Sequence, residues 1–144
     1  VAVFDRVLDE LRAAVDAAVA AAGTDPAARI RAMVAATVGF VDSDRRRARV
    51  LYAEGHGNER LQRRRLESSS LIAGLIAAEA GRSGPQRERH RLVAAFLVGG
   101  FSGLLMRWLD GTVTMGADEL VDEATELFLA VGRTGRSRGR SAPA

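Results

Sequence analysis

The chain has 144 residues, the length of one domain, and contains no cysteine, which excludes disulfides, thiolate zinc sites, iron–sulfur ligation and a cysteine nucleophile. Hydrophobic residues make up 47% of the chain and aromatic residues only 5%, a balance dominated by alanine that favours helices over strands. The formal net charge is +3, but four of the 21 basic residues lie in residues 133–144, which contain no acid. Residues 1–132 therefore carry 17 arginines against 18 acids and do not form a basic nucleic-acid-binding surface.

Apolar side chains at helical spacing and clear capping signals predict an all-α chain. Gly23 ends the first helix, Asp25 and Pro26 begin the second, and Asn58 caps a long helix in the middle of the chain. The predicted helices span residues 1–22, 26–41, 45–54, 59–80, 86–109 and 117–132. Residues 133–144 form a Gly/Ser/Arg tail that we expect to be disordered, so residues 1–132 are the predicted domain.

The most unusual segment is the run from Leu92 to Met106, which contains no charged residue. A membrane span needs about 20 apolar residues, whereas this run is stopped by Arg91 and Arg107, and no other predicted helix is apolar enough to accompany it. We therefore expect no membrane association. A helix that is apolar all round must be buried all round, so one side is expected in the subunit's own core and the other against a second subunit.

Three glycines inside this helix support a homodimer, because each costs about 1 kcal/mol relative to alanine and close approach of another helix would justify that cost. The connection over residues 110–116 is short, so the last two long helices should be antiparallel. Two helices from each of two subunits would form an intersubunit four-helix bundle. The predicted interface residues are Gly99, Gly100, Gly103, Leu104, Arg107, Trp108, Leu120, Leu127 and Phe128.

Catalytic and metal sites are not predicted. Ser68 and its two serine neighbours lie inside a predicted helix, without the strand–turn–helix context of an activated nucleophile. Glu54, His56 and Glu59 are close in sequence, but no second histidine follows at ligand spacing. We expect no cofactor, and the absence of a secretory signal predicts a cytoplasmic protein.

The segment from Leu97 to Gly111 has the pattern Gly-x-x-x-Gly-Leu-Leu-x-x-Trp-Leu and is followed by Glu119-Leu120-Val121 and Glu126-Leu127-Phe128. This segment resembles the two dimerising helices of TetR-family transcriptional regulators. The lengths and order of the preceding helices also resemble the C-terminal regulatory domain of that family, over nearly all of residues 1–132. Residues 1–22 are similar to the helix that joins this domain to the family's helix-turn-helix head, which has no counterpart in the sequence.

The resemblance implies a ligand-responsive transcriptional repressor, of which this chain is the effector-binding and dimerisation domain. It implies that a small apolar effector binds inside each subunit and that operator DNA is bound only through the missing helix-turn-helix. The ligand-binding residues that it implies are Met33, Thr37, Phe40, Tyr52, His56, Ser68, Leu71, Ile72, Leu75, Phe96 and Phe101. Two alternatives stay open, a helical enzyme or lipid carrier that uses the same pocket and a purely structural dimer without a cavity.

Overall fold

The structure, a computed structural model, describes residues 2–52 and 85–137 and the single positions 59 and 63. Its helices are α1 (Ala2–Ala21), α2 (Pro26–Ser43), α3 (Arg45–Tyr52), α4 (Pro85–Leu109) and α5 (Ala117–Ser137). The described residues contain no strand, which confirms the all-α fold class. The predicted helix over 59–80 lies outside the described residues, apart from positions 59 and 63.

The helix boundaries follow from the capping residues that the sequence indicates. Gly23 has φ 80°, a left-handed conformation that glycine adopts without the steric cost of a Cβ, and it lies in the turn that separates α1 from α2. The Asp25 carboxylate accepts a hydrogen bond from the backbone N–H of Ala28 at 3.0 Å, and Pro26 occupies the first position of α2. Asp44 caps α3 in the same way, accepting from the N–H of Arg47 at 3.0 Å.

The last helix is longer than the sequence predicts. It continues to Ser137, five residues beyond the expected end at residue 132. Extending an existing helix by one residue costs little compared with starting one, and no proline interrupts this segment before Pro143. Residues 138–144 lie outside the described residues.

The hydrophobic core centres on α2, which packs against α1 on one side and α5 on the other. Val34, Val38 and Val41 of α2 are almost completely buried. The short helix α3 packs against α1, α2 and α4. The rings of Phe101 in α4 and Phe128 in α5 meet edge to face, with centroids 5.5 Å apart, and this contact fixes how the two long helices sit beside each other.

Trp108 joins three parts of the subunit at the end of α4. Its ring is buried, and its indole N–H donates to the backbone carbonyl of Met115 at 2.9 Å in the connection to α5. The guanidinium of Arg45, at the start of α3, lies 4.5 Å from the centre of the Trp108 ring. Trp108 therefore holds the α4–α5 connection and the first turn of α3 in place.

Replacing Trp108 by phenylalanine should lower the free energy of unfolding by about 1–3 kcal/mol, because the Met115 carbonyl loses its donor and the smaller ring leaves space unfilled. Urea denaturation followed by far-UV circular dichroism measures this, since Trp108 is the chain's single tryptophan and the substitution removes its fluorescence. Arg45→Gln is the control. It removes the cation above the ring and an exposed ion pair with Asp42 at 3.6 Å, and it should cost no more than about 1 kcal/mol. A Trp108→Phe variant as stable as the wild type would contradict this role.

Candidate functional site

The most unusual surface of the subunit is one face of α4. Leu92 and Phe96 are 72% and 70% exposed, which is rare for such large apolar side chains. One and two turns further along, Gly99, Gly100 and Gly103 continue the same face. We call these five residues the α4 stripe. It runs along the helix between the charged residues of its first turns and Arg107 near its end.

The glycines of the α4 stripe have open space above them. Among the described residues, a Cβ atom built on Gly99, Gly100 or Gly103 would meet no atom within 4 Å apart from the backbone of its own helix. Close packing inside the subunit therefore does not explain why glycine stands at these positions. The opposite face of α4, with Ala94, Leu105 and other buried side chains, belongs to the core.

Less than a third of the residues in the apolar part of α4 are fully buried. The segment Glu88–Leu109 is long and apolar enough to cross a membrane by length and composition, with a mean hydropathy of 1.7. In its most apolar stretch of 18 residues, however, only 28% of the residues are buried. The core helix of a single globular subunit would be mostly buried. The expectation that one side of this helix packs in the subunit's own core is confirmed, and its other side faces outward.

The outer face of α5 has another exposed large apolar residue, Leu127, which is 58% exposed. A shallow groove runs along this face, with carboxylates at one end and an arginine at the other. It is lined by Glu123, Glu126, Leu127, Leu129, Ala130 and Arg133.

The nine residues predicted for the subunit interface differ in how exposed they are in the single subunit. Gly99, Gly100, Arg107 and Leu127 are exposed, and Gly103 and Leu104 are half-buried. Trp108, Leu120 and Phe128 are buried in the core of their own subunit, and their place at a subunit interface stays a prediction. Leu120 and Phe128 lie on the side of α5 that packs toward α2 and α4, and Trp108 lies at the end of α4 against the connection to α5.

Four of the predicted ligand-binding residues lie in α2 and α3. Thr37 and Tyr52 are buried, and Met33 and Phe40 are half-buried against the same core. The Thr37 hydroxyl donates to the Met33 carbonyl of its own helix at 2.8 Å. The Phe40 ring lies 5.9 Å from the guanidinium of Arg47. The structure thus brings Met33, Phe40 and Tyr52 to one core, together with the half-buried Phe101, and Thr37 is buried on the same helix as Met33 and Phe40.

Phe96 does not belong to that group. Its 70% exposure means that the expectation of an inward-facing side chain is wrong, because the inward face of α4 is formed by Ala94, Val98 and Phe101 instead. The remaining predicted ligand-binding residues lie outside the described residues. They are His56, Ser68, Leu71, Ile72 and Leu75. The ligand-binding role of each residue stays a prediction.

Ion pairs connect the helices around this core. Arg47 of α3 pairs with Glu10 of α1, and Arg31 of α2 pairs with Asp122 of α5. At the end of α4, hydrogen bonds from Thr112 hold the pKa of the exposed Asp110 carboxyl below its ordinary value, and the bond from the Thr112 N–H measures 2.9 Å. Among the described residues, no group of three His, Cys, Asp or Glu side chains is placed to hold a metal ion.

No model of a known protein family matches the chain, and no curated protein is significantly similar to it in sequence. The resemblance to TetR-family regulators therefore depends on the glycine-containing motif of α4 and on the order and lengths of the helices.

Leu120 and Leu127 of α5 test which side of this helix is buried in the core and which side is exposed. Leu120→Ala should lower the free energy of unfolding by about 2–5 kcal/mol, because Leu120 has no exposed surface and its loss leaves a cavity. Leu127→Ala should change it by less than about 0.5 kcal/mol in dilute solution where subunits are dissociated, because Leu127 is largely exposed. Urea denaturation at low protein concentration measures both. Equal losses from the two variants would show that the burial pattern of α5 is incorrect.

Proposed function

We propose that this chain is the effector-binding and dimerisation domain of a ligand-responsive transcriptional repressor of the TetR type. The observation that carries the proposal is α4, a long apolar helix with one face in the subunit core and the α4 stripe exposed on the other. An apolar surface of this length marks an interaction site. The pairing of α4 with α5, and the motif that the two helices carry, support a second copy of the chain as the partner.

A second copy covers this surface better than a bilayer does. Insertion of α4 into hydrocarbon would bring the helices packed on its other face along with it. α5 contacts α4 and has exposed carboxylates along its length, including Glu119, Glu123 and Glu126. A charged side chain is costly in the membrane interior, at about 2.5–3.5 kcal/mol each or more. A second copy buries the α4 stripe alone and leaves these carboxylates in water.

The proposed effector site lies in the interior of each subunit, beside Thr37, Phe40 and Tyr52. Buried aromatic and apolar side chains with a few polar tips suit a mostly apolar small molecule. His56, Ser68, Ile72 and Leu75 complete the proposed site from outside the described residues. Thr37 and Tyr52 would then orient the ligand through their hydroxyl groups.

The ion pair between Arg47 and Glu10 supports a route from this site to α1. α3 ends at Tyr52 and contacts both α1 and α4, so a ligand that displaces the end of α3 would change how α1 is held. Ligand can shift α1 only if it binds one arrangement more tightly than the other. In the proposal, α1 passes this shift to a helix-turn-helix head that these 144 residues do not contain, and operator DNA is bound there.

Dimerisation is tested by Gly103→Leu with Gly39→Leu as its matched control. Both glycines are in helices, and at both positions a Cβ meets nothing within 4 Å in the subunit. Leucine at 103 should disrupt the dimer because a bulky side chain overpacks a close helix contact. Leucine at 39, on α2, should leave it intact. Sedimentation velocity at matched concentrations distinguishes the two, and a Gly103→Leu protein as dimeric as Gly39→Leu would contradict the interface.

The effector site is tested by a matched pair of buried threonines. Thr37 and Thr125 each donate to the carbonyl four residues earlier in their own helix, but only Thr37 lies in the proposed site. With the apolar fluorophore N-phenyl-1-naphthylamine as probe, Thr37→Val should weaken binding about fivefold, the loss of one hydrogen bond of roughly 1 kcal/mol. Thr125→Val should not change probe affinity. Equal effects, or no saturable binding by the wild type, would contradict a ligand site beside α2.

A further inference from the structure

The exposed face of α4 is complementary to the same face of a second helix that runs in the opposite direction. Counted outward from the point between Gly99 and Gly100, Phe96 on one side is as far away as Gly103 on the other, and Leu92 is as far away as Arg107. The two bulkiest apolar side chains of the face are therefore on one half of the helix and the small residue is on the other half. A surface with this pattern is self-complementary under two-fold rotation.

We infer that the second copy lies antiparallel across α4, crossing it at Gly99 and Gly100, with Phe96 of each copy packed against Gly103 of the other. This inference rests on the proposed dimerisation and specifies which residues of the two copies face each other. Gly99 and Gly100 lie at the crossing, where the absence of side chains lets two helix backbones approach closely. Phe96, which is 70% exposed in the single subunit, fills the space above the glycine of the second copy.

A parallel arrangement of the same two faces packs poorly. Each residue would then meet its own copy, so Phe96 would face Phe96 while Gly103 faced Gly103. The helices would be held apart at the phenylalanines and leave a void at the glycines, although protein interiors tolerate few voids. Two Arg107 guanidinium groups would also meet, and like charges repel.

The charges at the ends of the face favour the antiparallel register as well. It brings Arg107 of one copy beside Leu92 of the other, one helical turn from Glu88. The Glu88 side chain is exposed, and among the described residues it pairs with Arg91 at 3.4 Å. The aliphatic part of Arg107 covers Leu92 while its guanidinium reaches toward that carboxylate. The same pair forms twice, once at each end of the contact.

The register is tested by cysteine cross-linking, for which the chain is well suited because it has no cysteine of its own. Phe96→Cys and Gly103→Cys are prepared as single variants in the full chain, and each alone and a co-refolded mixture are treated with a short bismaleimide. We expect a covalent dimer from the mixture and none above background from either variant alone. A mixture of Leu92→Cys and Arg107→Cys tests the ends of the contact and should also form a covalent dimer. It replaces the first pair if Phe96→Cys impairs dimerisation. Ala13→Cys, on the exposed side of α1, is the control and should not cross-link.

The outcomes separate the register from the proposed function. Cross-linking of Phe96→Cys alone and of Gly103→Cys alone overturns the antiparallel register in favour of a parallel one. A protein that sediments as a dimer but cross-links in neither mixture also overturns it, and leaves dimerisation in place. A wild type that sediments as a monomer contradicts the proposed dimer itself.

Discussion

The structure depends on the burial of one helix that is apolar on every side. A chain of this size can cover one face of α4 with α3 and α5, and the side chains buried there include Val98, Leu105 and Trp108. It has no further described helix packed on the opposite face, where Leu92 and Phe96 are exposed. The hydrophobic effect favours removal of that surface from water, at about 25 cal/mol for each Å² of apolar area, and the proposed second copy supplies the cover.

The rest of the subunit positions this helix. Phe101 and Phe128 set α4 beside α5, and Trp108 anchors its end to the α4–α5 connection and to Arg45 of α3. α3 in turn holds α1 through Arg47 and Glu10. The same short helix thus contacts the element proposed to carry a signal and the element proposed to form the dimer. A ligand that moves α3 would act on both, which is the physical basis for the regulation that we propose.

Much of the fold could be predicted from the sequence because the signals are local. Gly23, Asp25 with Pro26, and Asp44 act through their own backbone or through hydrogen bonds three residues away, and they set the helix boundaries where they were expected. The end of α5 could not be predicted from composition, since the Gly- and Arg-rich residues after 132 are typical of disorder but continue an existing helix. The stacking of Arg45 on Trp108 joins residues far apart in sequence, and no local pattern indicates it.

The orientation of α4 was the hardest feature to predict, because a helix without a polar face does not show which side is inward. Phe96 was expected inside, and Trp108 was expected at the surface contact. In the structure Phe101 contacts Phe128 of α5, Phe96 is exposed and Trp108 is buried. The spacing of Leu92, Phe96, Gly99 and Gly103 did contain a usable signal, since these residues share one face and combine the bulkiest and smallest side chains of the run.

The most direct test of the account is the absolute mass of the wild-type protein in solution, measured by multi-angle light scattering over a series of dilutions. If a second copy covers the α4 stripe, the particle has twice the chain mass of 15.3 kDa at micromolar concentration and dissociates only on further dilution. A particle of 15.3 kDa throughout the micromolar range would contradict the account, because the exposed face of α4 would then remain in water without a partner copy.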